Sequence, residues 1–211
     1  MAIQLIGPSG ATQEVDAAFK AARVSIRPVE VINWLSYGAV SGALAGVAAN
    51  GPVFSLRNTG ANLLMVRRVQ VGFVTTTAFT AAQGLVYQVL RASGFTVSDS
   101  GGTSLYLAGQ NKHRLSFTNI AAAPDLRISS TAALTAGTRT LETVSMGNAG
   151  GTSNALGSSM PKIALLSHDT GDHPMILAQN EGLVVTNVIA MGAAGVIQLH
   201  VNIELAEVAS Y

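Results

Sequence analysis

The sequence predicts an all-β protein, an antiparallel β-sandwich of jelly-roll-like type, and three observations carry that reading. Beyond about residue 52 the chain breaks into at least eight short apolar segments separated by turn-rich loops. The last of these, 196–208, alternates with period two. Ile197, Leu199, Val201, Ile203 and Leu205 share one face, while Gln198, His200, Asn202 and Glu204 share the other. Finally, no second compositional regime and no repeat of fixed period is visible, so one sandwich domain, 31–211, follows an N-terminal arm, 1–30.

The elements follow in order. Residues 1–10 lack a basic stretch followed by a long apolar one, so no secretory signal is expected there. Glu14 and Asp16 suit the first turn of a helix, and Val15, Ala18, Phe19 and Ala22 recur at helical spacing. A short helix over 14–22 is therefore expected in the arm, with Pro28 ending any continuation. Residues 53–56 form a strand that leads into the turn residues Asn58 and Gly60. In 63–74, Met65, Val69, Val71 and Phe73 fall on one face, interrupted by Arg67, with Arg68 and Gln70 opposite. Residues 83–91 set Leu85, Tyr87 and Val89 against Val86, Gln88 and Leu90. A Gly/Ser/Thr-rich stretch, 93–104, then interrupts the pattern. Short strands are expected at 114–117, 126–129 and 139–146. Residues 147–159 are low-complexity Gly, Ser and Asn and read as an exposed loop. Strands at 162–166 and 175–178 flank a polar loop, 167–173. The chain closes with an expected hairpin, 182–190 joined to 196–208 through 191–195.

Composition narrows the function. Of 211 residues 48% are hydrophobic and only 11% charged, half or less of the roughly 25% usual in soluble domains. Twelve basic and eleven acidic side chains leave a net charge of +1, which supplies no nucleic-acid footprint. The absence of Cys removes disulfides, thiolate catalysis and Cys-based metal centres. A surface this poor in charge is unusual for a free monomer and suggests cover by other subunits. A dense core under a Ser/Thr/Asn surface is the alternative.

Three uncharged stretches, 31–56, 69–90 and 182–203, are long enough to be considered as membrane spans. The last two break at glycines into strand-sized pieces. The first carries Gly38, Gly42 and Gly46 in a small-residue stripe. It also holds Asn33, Ser36, Ser41, Asn50 and Pro52 and has no basic flank. A buried small-residue segment at a subunit contact suits it better.

The search for chemistry yields little. The chain has no nucleophile elbow, phosphate loop or dinucleotide fingerprint, so no enzymatic activity is expected. One segment, His168-Asp169-Thr170-Gly171-Asp172-His173, places two imidazoles and two carboxylates close in sequence. His168, Asp169, Asp172 and His173 are thus weak metal-ligand candidates, with Glu181 the nearest further donor. The same residues are ordinary turn chemistry, and a subunit contact is a further reading. His200 sits on the polar face of its strand and suits cross-strand hydrogen bonding. Arg67 and Arg68 suit ion pairs or interface contacts. Lys112-His113-Arg114 is too small for a nucleic-acid surface. Trp34 and Tyr37 suit packing more than sugar stacking. Candidate contact residues for assembly are Phe19 and Arg23 in the arm and Trp34 and Tyr37 after it, with the 147–159 loop as an alternative docking element. No cofactor, nucleic acid or membrane partner is expected.

Particular segments also carry a resemblance. They are Leu56-Arg57-Asn58-Thr59-Gly60-Ala61-Asn62-Leu63-Leu64 running into Val66-Arg67-Arg68-Val69, then Ser130-Thr131-Ala132-Ala133-Leu134-Thr135-Ala136-Gly137-Thr138. His173-Pro174, Leu177-Ala178-Gln179-Asn180-Glu181-Gly182 and the close through Glu207-Val208-Ala209-Ser210-Tyr211 complete them. Across roughly residues 35–211 this texture resembles virion structural proteins of tailed bacteriophages. The resemblance implies a capsid decoration or cement protein, a homo-oligomer (trimer favoured) of jelly-roll or sandwich fold bound to the major capsid protein. Its location would be the virion, assembled in the host cytoplasm. A tail, fibre or collar component that binds a receptor or glycan would share the texture.

Overall fold

The computed structural model describes residues 15–16, 21–22, 31–107, 110–116, 124–168 and 174–209. Within them the protein is all-β, with two antiparallel sheets packed face to face as a sandwich. The larger sheet runs β10 (Gly147–Ser153), β6 (Gln83–Ser93), β13 (Gly182–Asn187), β4 (Gly51–Arg57), β8 (Asp125–Ile128) and β7 (Thr103–Ser104). The short β9 (Thr140–Leu141) also pairs with β6. The smaller sheet runs β11 (Ser159–Ser167), β5 (Leu63–Thr77), β14 (Val196–Val208) and β3 (Val31–Val40), with β12 (Met175–Leu177) also on β5.

The expected alternation places the core. Leu199, Val201, Ile203 and Leu205 of β14 point inward with Val69, Val71 and Phe73 of β5, against Leu85, Tyr87 and Val89 of β6. Across the gap the Phe73 and Tyr87 rings lie 6.5 Å apart and tilted by 55°. Each such buried side chain stabilises the fold by about 1.5–3 kcal/mol relative to an exposed one.

Four expectations are corrected. In place of a helix over 14–22, β1 (Val15–Asp16) pairs antiparallel with β2 (Ala21–Ala22). The segment is too short for a helix to persist without packing. The closing strands do not form a hairpin, because β13 pairs with β4 and β6 while β14 pairs with β3 and β5. Every residue of β13 is buried, as expected for a central strand covered on both faces. The interruption at Arg67 is a bulge: Glu204 opposes Arg68 but Leu205 opposes Val66. The slip turns Met65 to the outer face, where it packs with Ala206, Val208 and Trp34. Residues 147–159 are not a loop, since they contain β10 and the first residue of β11. Smaller differences fall at 139–146, where only Thr140 and Leu141 are strand, and at Arg114, which lies in a bend.

The uncharged stretch 31–56 forms β3, β4 and the crossing between sheets. Ser41 and Leu44 donate to the Leu199 and Ile197 carbonyls of the smaller sheet (2.8 and 2.9 Å). Gly42 and Ala45 donate to the Ser129 and Thr131 carbonyls beside the larger one (3.3 and 3.4 Å). A Cβ on Gly42 would fall 1.9 Å from the Ser130 carbonyl oxygen, so the glycine permits this close passage. No helix among the described residues is long and apolar enough to cross a membrane.

Candidate assembly interface

Sandwich sheets end in edges whose unpaired backbone groups can recruit another strand. Three edges of this molecule are managed within the chain. Residues 111–113 run along β3: Ser36 donates to the Asn111 carbonyl (3.1 Å) and His113 to that of Trp34 (2.9 Å). The edge strand β11 carries Pro161 and Lys162 and breaks register twice, between Met160 and Ile163 and between Ala164 and Leu166. At the far side of the larger sheet, β7 is only two residues long.

The fourth edge, β10, has none of these devices. It runs seven residues against β6 without a register break and contains no charge and no proline. Its hydrogen-bonding parity follows from its neighbours. The Val86 carbonyl accepts from Val188 on the β13 side (2.7 Å), so even-numbered β6 residues face β13 and odd-numbered ones face β10. The β10 register matches odd with odd: Gly147 with Val89, Ala149 with Tyr87, Gly151 with Leu85 and Ser153 with Gln83. Asn148, Gly150 and Thr152 therefore turn their N–H and C=O groups to the open side, and all three residues are exposed.

The surface around this edge is also poor in charge, with Glu142, ahead of β10, exposed beside β6. Outward residues of β6 are the part-buried Gly84, Val86 and Gln88 and the buried Leu90. Ile189, 43% exposed, lies over Gly84. Val144 and Met146, 75% and 41% exposed, precede β10, and Leu156, 70% exposed, follows it. Other nearby charges are engaged elsewhere: Arg91 pairs with Glu181 at 3.0 Å, and Glu181 also accepts from the Ala178 N–H (2.9 Å). Arg68 pairs with Glu204 on the other sheet at 3.6 Å. A strand this rich in glycine forms because its neighbours require it. A Cβ at Gly147 would lie 1.8 Å from the Leu165 carbonyl oxygen, so only glycine lets β10 close against β11.

The residues singled out from sequence are dispersed. Phe19, Arg23, Asp169, Asp172 and His173 lie outside the described residues. His168 is partly buried, its N–H donates to the Arg67 carbonyl (2.9 Å), and its Nε2 is buried without a hydrogen-bond partner. Glu181, the further donor considered for a metal, is committed to Arg91 and its own turn. Among the described residues no group of three or more His, Asp or Glu gathers to hold an ion. Trp34 and Tyr37, three positions apart on one strand, face opposite ways. Trp34 lies half-buried on the outer face with the Arg67 guanidinium 5.7 Å from its ring and the His113 ring 6.4 Å away. Tyr37 is 3% exposed and packs in the core inside the sandwich. His200 is half-buried on β14, with its Nε2 buried without a hydrogen-bond partner.

Sequence reasoning missed two buried charged groups. Asp99 and Arg139 form an ion pair beneath residues 94–104 and 130–142, with Phe95 5.0 Å from the guanidinium. Burial pushes the Arg139 pKa down to about 10. Glu207 is buried at the end of β14 and accepts from Asn62 (2.8 Å). Neither carries a local sequence signal, because their partners are distant in the chain. No protein-family model matches the sequence, and no curated protein or solved structure is significantly similar to it.

Proposed function

We propose that the chain is a structural virion protein that oligomerises and binds a capsid surface as a decoration or cement protein, stabilising the shell. Its partners on this reading are the major capsid protein and further copies of itself. The observation that carries it is the bare part of the larger sheet: an unprotected strand edge set in a charge-poor face with Val144, Met146 and Ile189 exposed. Such a surface gains stability when covered, by apolar burial and by main-chain pairing. Its action is adhesive, and no bond is made or broken.

The alternative is a tail, fibre or collar component that binds a receptor or glycan. The half-buried Trp34, stacked near the His113 ring and beside the Arg67 guanidinium, favours it, since an aromatic ring with a cation beside it can take part in sugar or anion recognition. Immunogold labelling of particles with antibody against the chain separates the two. Label over the head surface is expected, label confined to the tail selects the alternative, and particles without label overturn both.

A further inference from the structure

We infer that β10 is a self-complementary edge at which two copies of this chain pair antiparallel about a two-fold axis through Gly150. The inference deepens the assembly reading by naming its contact, and rests on that reading for the contact's purpose. In antiparallel pairing the groups left free on β10 determine the register. With Gly150 opposite Gly150 of the second copy, Asn148 falls opposite Thr152 and Thr152 opposite Asn148. All three positions are those whose backbone groups face outward, so each forms a hydrogen-bonded pair with its counterpart. No side chain larger than Asn or Thr stands at the junction, and no charge opposes another. The two larger sheets then become one continuous sheet.

A second, independent observation favours a copy of the same chain over an unrelated strand. Val144 lies six residues before Gly150 and Leu156 six residues after it. They are among the most exposed large apolar side chains of the described residues. The two-fold register carries Val144 of one copy toward Leu156 of the other, twice, so the apolar residues at both ends of the strand gain partners from one operation. A head-to-tail contact would need a second bare edge, and β11 is blocked by Pro161, Lys162 and its two register breaks. The contact is therefore isologous and closes at two copies. A two-fold pair replaces the trimer that the phage resemblance implies as the basic unit.

Two double variants at exposed positions test the register. Asn148→Lys with Thr152→Lys sets lysine against lysine at two places across the axis, whereas Asn148→Lys with Thr152→Glu sets lysine against glutamate at the same places. Analytical ultracentrifugation of the full chain is expected to show a dimer for the wild type and the Lys/Glu variant. The Lys/Lys variant is expected to weaken association roughly tenfold or more, the scale of two cross-strand like-charge pairs. Circular dichroism should be the same for all three. Amide exchange at Asn148, Gly150 and Thr152 should slow as wild-type concentration rises, while exchange at Ala149 and Gly151 stays slow throughout. A wild type that is monomeric at every concentration overturns the pairing, as does a dimer indifferent to the Lys/Lys change. Neither result touches the immunogold outcome: a monomer that still labels the shell removes only the two-fold contact, and a dimer that labels no particle removes only the virion role.

Discussion

The outer face of the larger sheet has two halves that are treated in opposite ways. Over β13, β4 and β8 the chain folds residues 94–104 and 130–142 back as a cover, joined where Ser100 and Thr135 exchange backbone hydrogen bonds at 2.9 Å. Asp99 and Arg139 are sealed beneath it, Asp99 also accepting from the Gly137 N–H (2.9 Å). Phe95 and Leu141 still reach Ala92 near the end of β6, but over the rest of β6 and over β10 no such excursion lies among the described residues, and the surface is charge-poor, partly apolar and open along its edge. The difference separates two kinds of low charge. On the covered half the Asp99–Arg139 pair is buried; on the bare half β10 itself carries no charge, and Arg91 of β6 is paired with Glu181.

The largest expected effect breaks the cover. Arg139→Met leaves the Asp99 carboxylate buried without its cation and should lower folding stability by about 3–5 kcal/mol. Adding Asp99→Leu removes the orphaned charge and should recover a good part of that loss. Urea unfolding of the two variants measures it, and an unmoved midpoint in Arg139→Met would show that the pair does not hold the cover down.

Next in size is a contrast between neighbours on β10. Gly147→Ala drives a methyl group onto the Leu165 carbonyl and should cost about 1–3 kcal/mol. Asn148→Ala, one residue along and facing solvent, should change stability by less than about 0.5 kcal/mol. Equal losses at the two positions would mean that the open side of β10 is already engaged in the isolated chain.

The same contrast explains what could be read from sequence. The inward rows of β6 and β14 were legible, because period-two alternation survives wherever one face is buried and the other is wet. Alternation said nothing about which sheet a strand joins, so β13 and β14 looked like a hairpin although they lie in opposite sheets. At Arg67 the pattern registered a break, but only the partner register reveals a bulge that moves Met65 outside. For β10 composition actively misled. Glycines are the residues of loops, and nothing local to Gly147 announces that the Leu165 carbonyl will lie against it. The segment read as an exposed loop and not as a strand. Its free backbone groups depend on hydrogen-bond parity with β6, which no single segment encodes.

Beneath the bare half lies a group with its own pH signature. Tyr87 pairs across to Ala149, and its buried hydroxyl has no hydrogen-bond partner. Burial raises its pKa above the usual 10, as it does for Tyr37. The folded state therefore holds these protons more tightly than the unfolded chain. The stability this confers is fully present below pH 10 and is lost as pH rises beyond it, by about 1.4 kcal/mol per pH unit for each tyrosine. Arg139, lowered to about 10, titrates over the same range with the opposite sign, so the informative quantity is the difference between Tyr87→Phe and wild type. The variant should be neutral or stabilised by up to about 1 kcal/mol at pH 7. It should unfold less steeply above pH 10, and identical alkaline slopes would sink the assignment.

The smallest expected effect on folding gives the sharpest test of why the two halves differ. Val97, on the cover, and Ile189, on the bare half over Gly84, are both large, apolar and exposed at 55% and 43%. Replacing either with Ser should shift folding stability by less than about 0.5 kcal/mol, because neither is part of the core. If the bare half is a contact surface, the two substitutions must part company once a partner is present. Ile189→Ser should then reduce co-sedimentation with particles depleted of the chain, whereas Val97→Ser should leave it unchanged. Equal loss at both sites would assign adhesion to general surface hydrophobicity and remove the distinction between the halves. Equal retention would place the contact on another face, with the outer surface around Trp34 the next to probe.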